Sequence, residues 1–338
     1  MKAWVLTKYG EPRTSMALQD VHDPHPEAKQ VLIRCEGFGL NYADVMAVKG
    51  LYRDAPKAPF VPGYEVVGRV ERAGAEVPPG LLGKRVVAMT RFGGYAELAV
   101  TDHRALAVVP DDVPLAEAAA LATQGCTAWY MAMIARPLRP GQRVLVHSAA
   151  GGVGQLLVQL AVHAGCVVYA VASGPEKMAY LEKLGAQHPI DRRKGDYAVQ
   201  LQALLGREKL DASFNAVGGS TFRKDLRLLG SGGALMLFGG SERGEGGLFG
   251  TLRFVWRMGL VVPIFLMMKS KSLVGVNMLR ISEHKPELIA ACLQGVAQAH
   301  AEGWLRPQAH RSFAGQGLAD ALELLGSGAS IGKVAVRW

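Results

Sequence analysis

The sequence predicts an α/β protein of two domains: a small, irregular β domain and a parallel sheet covered by helices on both faces. The chain has 338 residues, of which 49% are hydrophobic, and that length exceeds one ordinary core. Up to about residue 110, short apolar runs are interrupted by glycine and proline. Beyond it, apolar strands alternate with segments of helix length, which is the pattern of a doubly wound parallel sheet.

The individual elements follow in chain order. The β domain contains the short apolar runs VLIRCEGFGL, EVVGRVERAG, KRVVAMT and YAELAV. A helical segment then precedes the second domain, whose predicted strands read RVLVHSA, CVVYAVAS, ASFNAV and ALMLFGG. The last part of the chain contains two predicted helices and a strand, PELIAACLQGVAQAHAEG, GLADALELLGSG and GKVAVRW.

The composition of the chain limits the kinds of molecule that the protein is expected to bind. The net charge is +9, but lysine and arginine are spread along the chain and do not interleave with aromatic residues, which argues against nucleic-acid binding. Binding of a small anionic ligand accounts for the excess of positive charge equally well. The N-terminal stretch MKAWVLTKYG lacks an apolar h-region, so we expect a cytoplasmic protein. The four cysteines stand far apart, without C-x-x-C pairs, and are predicted to be buried thiols.

Residues 144–161, VLVHSAAGGVGQLLVQLA, carry the main functional motif. A strand, a small-residue turn and a helix follow one another there, and Ala149, Gly151 and Gly154 occupy the three places of a dinucleotide-binding fingerprint. The second glycine permits close approach of a pyrophosphate, the third permits the helix to pack on the strand, and the helix N-terminus attracts negative charge. We therefore predict that residues 150–154 bind a dinucleotide through Ala150, Gly151, Gly152, Val153 and Gly154.

The end of the next strand indicates which dinucleotide is bound. An NAD site usually has an acidic residue there, which accepts a hydrogen bond from the ribose 2′-hydroxyl, whereas this chain has Ala172-Ser173-Gly174. Lys177 and Arg192 follow, and cations favour a 2′-phosphate. The alternative is that both cations only solvate the surface. The absence of an acidic residue at this position favours NADPH over NADH. We predict that Ser173, Lys177 and Arg192 contact the 2′-phosphate of NADPH.

Several motifs together resemble the zinc-independent quinone oxidoreductase branch of the medium-chain dehydrogenases/reductases, most closely the vesicle amine transport protein 1 type. They are GLNYADVMAVKGLY, PFVPGYEVVGRV, GGYAELAV, VHSAAGGVG, FNAVGG and GKVAV. The resemblance implies a GroES-like domain over residues 1–122, completed by residues 273–338. It also implies a Rossmann domain over residues 123–272, with a hydrophobic insertion at 245–270.

The same resemblance bears on metal binding. Zinc-dependent relatives use cysteine, histidine and a further cysteine or acid where this chain has Asn41, Tyr64 and Thr123. None of these is a usual zinc ligand, and the four closely spaced cysteines of a structural zinc site are absent from the sequence. We therefore predict no metal and exclude a zinc alcohol dehydrogenase. A metal-free site suits a conjugated acceptor, namely a quinone or an α,β-unsaturated carbonyl (enone).

The resemblance also implies roles for individual residues. Asn41, Asp44 and Tyr52 would lie beside the nicotinamide, with Thr127 near its ribose or amide and Lys333 near the cofactor. Further cofactor contacts are implied for Val217, Phe238, Gly239 and Asn277. Asp44 has an equally good interpretation as a helix cap, and no side chain stands out as the general acid. Met46 occupies a position where related reductases carry a tyrosine, so a polar substrate contact is not expected there.

Residues 248–268, LFGTLRFVWRMGLVVPIFLMM, form the unusual part of the insertion. Arg253 and Arg257 interrupt the apolar run, and only residues 258–268 are free of charge, so we predict no transmembrane span. A lid over the substrate or a subunit contact is favoured, and association with a membrane surface stays open.

We therefore predict a soluble, cytoplasmic, homodimeric oxidoreductase that uses NADPH to reduce a quinone or enone. The alternative is a weakly catalytic or non-catalytic NADPH-binding adaptor that associates with membranes or a protein partner through residues 248–268.

Overall fold

A computed structural model describes residues 1–243 and 247–338, which form two compact units. The first unit comprises Met1–Thr127 and Met278–Trp338, and the second comprises Ala128–Asn277. The predicted boundaries, after residues 122 and 272, lie five residues before the observed ones. Since the last part of the chain returns to the first unit, the two ends of the sequence build one domain.

The first unit combines strands with helices, and strands alternate with helices in the second. The strands are β1 (Lys2–Leu6), β2 (Met16–Asp20), β3 (Gln30–Leu40), β4 (Glu65–Ala73), β5 (Arg85–Met89), β6 (Leu98–Asp102), β7 (Leu106–Val108), β8 (Arg143–Val146), β9 (Val167–Ala172), β10 (His188–Asp191), β11 (Leu210–Asn215), β12 (Leu229–Leu237), β13 (Ser272–Gly275), β14 (Ala309–Ala314) and β15 (Lys333–Arg337). The α-helices are α1 (Pro12–Ser15), α2 (Tyr42–Val48), α3 (Leu115–Leu121), α4 (Thr123–Trp129), α5 (Gly152–His163), α6 (Pro175–Lys183), α7 (Tyr197–Leu205), α8 (Ser220–Leu228), α9 (Gly247–Met258), α10 (Pro263–Met268), α11 (Met278–His284), α12 (Pro286–Ala301) and α13 (Leu318–Gly326). The single helix predicted across the domain boundary is divided into α3, α4 and a π-helical turn, Tyr130–Ala135.

The first unit is built on a sheet with the order β14-β15-β3-β4-β5-β7, and β6 also pairs with β3. The long strand β3 is antiparallel to β15, with Leu40 opposite Val334. Its apolar side chains, including Phe38, are fully buried in the core of this unit. The C-terminal strand therefore completes the sheet, and it also brings Lys333 beside the end of β3.

The second unit contains a parallel sheet with the order β10-β9-β8-β11-β12-β13. The chain runs outward from β8 in one direction, then returns and continues on its other side with β11, so the order reverses between these two strands. Val144, Leu145 and Val146 of β8 are fully buried, as expected for a central strand covered on both faces. The predicted α/β class, with a doubly wound parallel sheet beside a β domain, is confirmed.

The apolar insertion forms two short helices in the second unit. Helix α9 ends at Met258, Gly259 adopts a φ of +72°, and Pro263 begins α10. By length and composition alone, Phe249–Met268 is apolar enough to cross a bilayer, with a mean hydropathy of 1.5, and none of its most apolar window is buried. The insertion is therefore a broken helical segment with exposed apolar side chains.

Candidate functional site

The glycine turn has the geometry that its sequence predicts. It follows β8, turns through Ser148 at a φ of +49°, and enters α5 at Gly152. A Cβ added at Gly154 would lie 2.2 Å from the carbonyl oxygen of Ser148, so only glycine permits this approach of helix to strand. The first N–H groups of α5 have no acceptor within the helix, and they lie at its positive end. The turn can thus hold an anionic group such as a pyrophosphate.

Three cationic side chains lie near the end of β9, next to Ser173. Burial, and then the charge of Arg192, lower the pKa of Lys177, which shows that these two predicted residues lie close enough to repel each other. Arg193 is a third cation, which the sequence analysis missed: its guanidinium lies 3.0 Å from the Cβ position of Gly174, and its Nε lies 3.5 Å from Asp191. An anion such as a 2′-phosphate would relieve the repulsion between Lys177 and Arg192.

The other predicted cofactor residues of this unit follow the ends of neighbouring strands. The side-chain oxygen of Asn215, at the end of β11, accepts hydrogen bonds from the N–H groups of Val217 and Gly218, both at 2.8 Å. Phe238 follows β12 and donates its N–H to the Asn215 carbonyl at 3.2 Å. A Cβ on Gly239 would lie 2.7 Å from the Ala216 carbonyl. These loops therefore lie along the same carboxyl edge of the sheet as the glycine turn, where open parallel sheets bind ligands.

A buried polar network lies beneath these loops and was not predicted. Asp225, on α8, accepts hydrogen bonds from His147 at 3.0 Å, Tyr197 at 2.7 Å, Ser213 at 2.8 Å and Asn215 at 2.6 Å. Burial opposes ionisation, but its interactions with His147 and the other donors hold the pKa of Asp225 below its usual range. His147 directly precedes the glycine turn, and Asn215 fixes the loop after β11. One carboxylate thus supports both loops.

The first unit contains a second buried cluster, formed by Asn41, Glu65 and Lys333. The Lys333 ammonium pairs with Glu65 and donates to the Asn41 side-chain oxygen at 3.2 Å and to the Leu40 carbonyl at 3.0 Å. Asn41 donates its side-chain N–H to Glu65 at 3.0 Å, and Thr123 donates its backbone N–H to the same carboxylate at 2.8 Å. Lys333 and Glu65 are fully buried. The implied contact of Lys333 with the cofactor stays a prediction, since its ammonium is already engaged.

Asp44 lies next to this cluster. The sequence allows two roles for it, a helix cap or a polar group of the reaction site, and the structure is compatible with both. Its Oδ2 atom accepts the N–H of Asn41 at 2.7 Å, so it caps α2. Burial raises the pKa of Asp44 to about 7, so its carboxyl group carries a proton for part of the time at neutral pH. The buried hydroxyl of Tyr95 interacts with the Asp44 carboxyl group, whereas the buried hydroxyl of Tyr64 has no hydrogen-bond partner within the described residues.

Tyr52 extends this polar cluster. Its ring centroid lies 5.8 Å from that of Tyr64, and its side chain is partly exposed. Burial raises the pKa of Tyr52 to about 12, so it keeps its proton at neutral pH and can donate a hydrogen bond. Thr127 and Asn277 are the remaining predicted cofactor contacts. Thr127 is the last residue of the N-terminal segment of the first unit, and Asn277 is the last residue of the second unit.

Two family profiles match the chain. The Alcohol dehydrogenase GroES-like domain matches residues 27–140, and the Zinc-binding dehydrogenase domain matches residues 152–294. Fold and motif thus define a two-domain dehydrogenase with a nucleotide-binding sheet. A Synaptic vesicle membrane protein VAT-1 homolog from Danio rerio is 30% identical over 98% of this chain and 69% of its own. The chain belongs to the medium-chain dehydrogenase/reductase family, as its motifs predicted.

Solved structures of similar proteins include two reductases. The quinone oxidoreductase from Thermus thermophilus, also solved in complex with NADPH, is 30% identical over the full length of both chains, with a TM-score of 0.80. The enoyl reductase CurK is 25% identical, covers 99% of this chain and 98% of its own, and has a TM-score of 0.86.

One matching profile is named for zinc, but the residues at the corresponding positions do not fit this metal. Asn41 uses its side chain in the cluster with Glu65, and Tyr64 and Thr123 offer only hydroxyl oxygens. Across residues 1–243 and 247–338, no three His, Cys, Asp or Glu side chains are grouped to hold a metal ion. We therefore derive no chemistry through zinc.

Proposed function

We propose that this protein is an NADPH-dependent oxidoreductase that reduces a quinone or an α,β-unsaturated carbonyl by hydride transfer, without a metal. The observation that carries the cofactor assignment is the end of β9, where Ser173 replaces the ribose-binding acid and Lys177 and Arg192 lie together. A carboxylate there would repel a 2′-phosphate, whereas two cations attract it. The Thermus relative, which was solved with NADPH, supports the same assignment.

The second unit supplies the residues that would hold the cofactor. The glycine turn at 150–154 would bind the pyrophosphate, Ser173 with Lys177 and Arg192 would bind the 2′-phosphate, and the loops at 217 and 238–239 would line the same edge. When bound, NADPH supplies the hydride. The protein contributes position and electrostatics to that step.

The first unit supplies the polar groups of the reaction. Tyr52 is the better candidate to hydrogen-bond the acceptor carbonyl, because the Asn41 side chain is buried and bonded to Glu65. Asp44 is the candidate proton store, since its raised pKa keeps a proton available near neutral pH and its carboxyl group lies beside the hydroxyl of Tyr95. Conjugation in a quinone or enone spreads the charge that the hydride brings.

Cofactor choice is tested by fluorescence titration with NADPH and NADH. We expect the double variant Lys177→Ala/Arg192→Ala to weaken NADPH binding by about 10–100-fold per lost contact and to leave NADH binding nearly unchanged. Lys183→Ala is the matched control, because this exposed lysine lies at the other end of α6. Equal affinities for the two cofactors, unaffected by the double variant, would remove the basis of the assignment.

The acceptor is tested by steady-state screening of quinones and enones with NADPH. We expect turnover with conjugated acceptors and none with saturated ketones, and we expect chelator-washed protein to remain active. If NADPH binds tightly but no conjugated acceptor is reduced, the result would support the alternative function, a weakly catalytic NADPH-binding adaptor. A tightly held zinc ion, lost together with activity, would contradict the metal-free mechanism.

A further inference from the structure

Helix α11 joins two loops of the first unit through a chain of ion pairs. Arg280 donates from one guanidinium nitrogen to Asp54 at 2.5 Å and from another to Glu283 at 3.0 Å. Glu283 in turn pairs with Arg91 at 2.5 Å. We call these four residues the ion-pair chain. Asp54 lies in the loop after α2 and Arg91 lies in the loop after β5, so α11 connects the two loops.

The same two loops are also joined by packed aromatic rings. The ring centroids of Tyr52 and Tyr64 lie 5.8 Å apart in an edge-on contact, and those of Tyr64 and Phe92 lie 5.1 Å apart. Tyr64 is buried, so it forms a fixed support on one side of Tyr52. Phe92 directly follows Arg91 in the sequence. Each loop therefore carries one aromatic ring of this stack and one charged residue of the ion-pair chain.

Tyr52 and Asp54 belong to one tight turn. The Ala55 N–H donates to the Tyr52 carbonyl at 3.1 Å, which closes the turn around Asp54. Burial raises the pKa of Tyr52 most, and beyond burial the charge of Asp54 raises it and the charge of Arg280 lowers it. Both charged groups therefore lie near the Tyr52 hydroxyl. A displacement of Asp54 would move the tyrosine that shares its turn.

The carboxylates of the ion-pair chain are more covered than the arginine that joins them. The exposed fraction of the side chain is 21% for Asp54 and 18% for Glu283, against 56% for Arg280. An isolated surface pair contributes little to stability, because its two side chains must be ordered in solvent. Here one planar guanidinium bridges two partly covered carboxylates through separate nitrogens, in a fixed geometry. The main effect of Arg280 is therefore to restrict the loop that carries Asp54.

We propose that Arg280 is a positioning residue for the acceptor site: by holding Asp54, it fixes the turn that presents the Tyr52 hydroxyl to the acceptor carbonyl. This inference rests on the proposed role of Tyr52 as the hydrogen-bond donor to that carbonyl. Misplacing the donor by about 1 Å lowers the rate by up to about 100-fold, because the hydrogen bond must meet the charge that develops in the transition state. Arg280 acts through Tyr52 and does not contact the acceptor, since its guanidinium is engaged by two carboxylates.

The order of the loop is measured by hydrogen–deuterium exchange of the full-length protein, a readout that does not depend on turnover. We expect Arg280→Gln and Asp54→Asn each to accelerate exchange at residues 51–59 about threefold, and the double variant to exchange no faster than either. Arg13→Gln is the matched control, because this exposed arginine also pairs with two carboxylates, which lie on α13. Its loss should leave exchange at residues 51–59 unchanged.

Steady-state kinetics with NADPH and 1,4-benzoquinone test whether the loop acts through Tyr52. We expect Arg280→Gln to lower kcat by about 10–100-fold, with NADPH affinity and melting temperature unchanged. In a Tyr52→Phe background, the same substitution should have little further effect, because the hydroxyl that Arg280 positions is gone. Arg280→Lys should give an intermediate kcat, since one ammonium cannot reproduce the planar bridge between two carboxylates.

The proposal is wrong if Arg280→Gln leaves exchange at residues 51–59 unchanged, or if it lowers kcat by the same factor with and without the Tyr52 hydroxyl. It is also wrong if KM for the quinone rises while kcat is unchanged, since Arg280 would then bind the acceptor itself. Failure of the proposed function gives a different pattern, in which the wild-type protein reduces no quinone. Faster exchange in Arg280→Gln would then still show that Arg280 orders the loop, whereas its role at the acceptor would be disproved.

Discussion

Replacing Lys333 by methionine tests whether this residue stabilises the first unit or binds the cofactor. The ammonium of Lys333 and the carboxylate of Glu65 are fully buried, and a Cβ on Gly39 would lie 2.3 Å from an atom of each side chain. The two side chains are packed closely there, so no water molecule could enter to solvate the carboxylate that Lys333→Met leaves unpaired. Removing one partner of a buried pair costs about 3–5 kcal/mol, because the other charge stays buried and unpaired. Asn41 and Thr123 would still donate to Glu65, so we expect the lower part of that range.

The assay is calorimetric unfolding of the full-length protein. For a unit of this size, each kcal/mol shifts the melting temperature by about 2–4 °C, so Lys333→Met should lower the transition of the first unit by about 6–12 °C. Adding Glu65→Gln should recover part of the loss, since the uncompensated carboxylate is then removed. Lys2→Met is the matched control: Lys2 pairs with Asp20 at 2.8 Å on the surface, where solvent screens the two charges, so its loss should leave the transition nearly unchanged.

A clear alternative result would refute this reasoning. If Lys333→Met leaves the melting temperature unchanged and weakens NADPH binding, Lys333 is the cofactor contact that the family resemblance implies. The absence of any recovery in the double variant with Glu65→Gln would show that the pair does not act as a unit.

Three further predictions follow from the buried groups. Asp225→Ala should destabilise the second unit by about 3–5 kcal/mol and weaken NADPH binding, because four donors lose one acceptor; an unchanged melting temperature would contradict this. Asp44→Asn should gain stability relative to the wild type as pH rises towards 7, because the folded carboxyl group retains its proton at pH values where the unfolded one has lost it. The difference should grow by at most about 1.4 kcal/mol per pH unit in urea unfolding, and a constant difference would show that Asp44 ionises normally. Gly154→Ala should abolish NADPH binding because its Cβ would meet the Ser148 carbonyl at 2.2 Å, whereas Gly275→Ala, with no atom within 4 Å, should bind normally in the same titration.

Much of the fold could be predicted because its causes are local. The strands β8 and β9 are buried on both faces, so they appear as continuous apolar runs, and the segment between them has helix length. The glycine turn is equally local, since Gly154 packs against Ser148, only six residues earlier. The absence of an acid at Ser173 is likewise visible in the sequence. Element boundaries were less accurate: the helix predicted before β8 is divided in the structure.

The sequence by itself therefore determined the two-domain α/β class, the family and the glycine turn, whereas contacts between distant residues were decided by the tertiary structure. Asp225 meets His147 across 78 residues, and Lys333 meets Glu65 across 268, so no local pattern could reveal either network. The raised pKa of Asp44 depends on burial, which hydropathy alone does not give. In the insertion, Phe254 and Trp256 are both aromatic and two positions apart, yet one is packed and the other is exposed. The difference arises because a helix places positions two apart on nearly opposite sides, and packing against the core selects which side is covered.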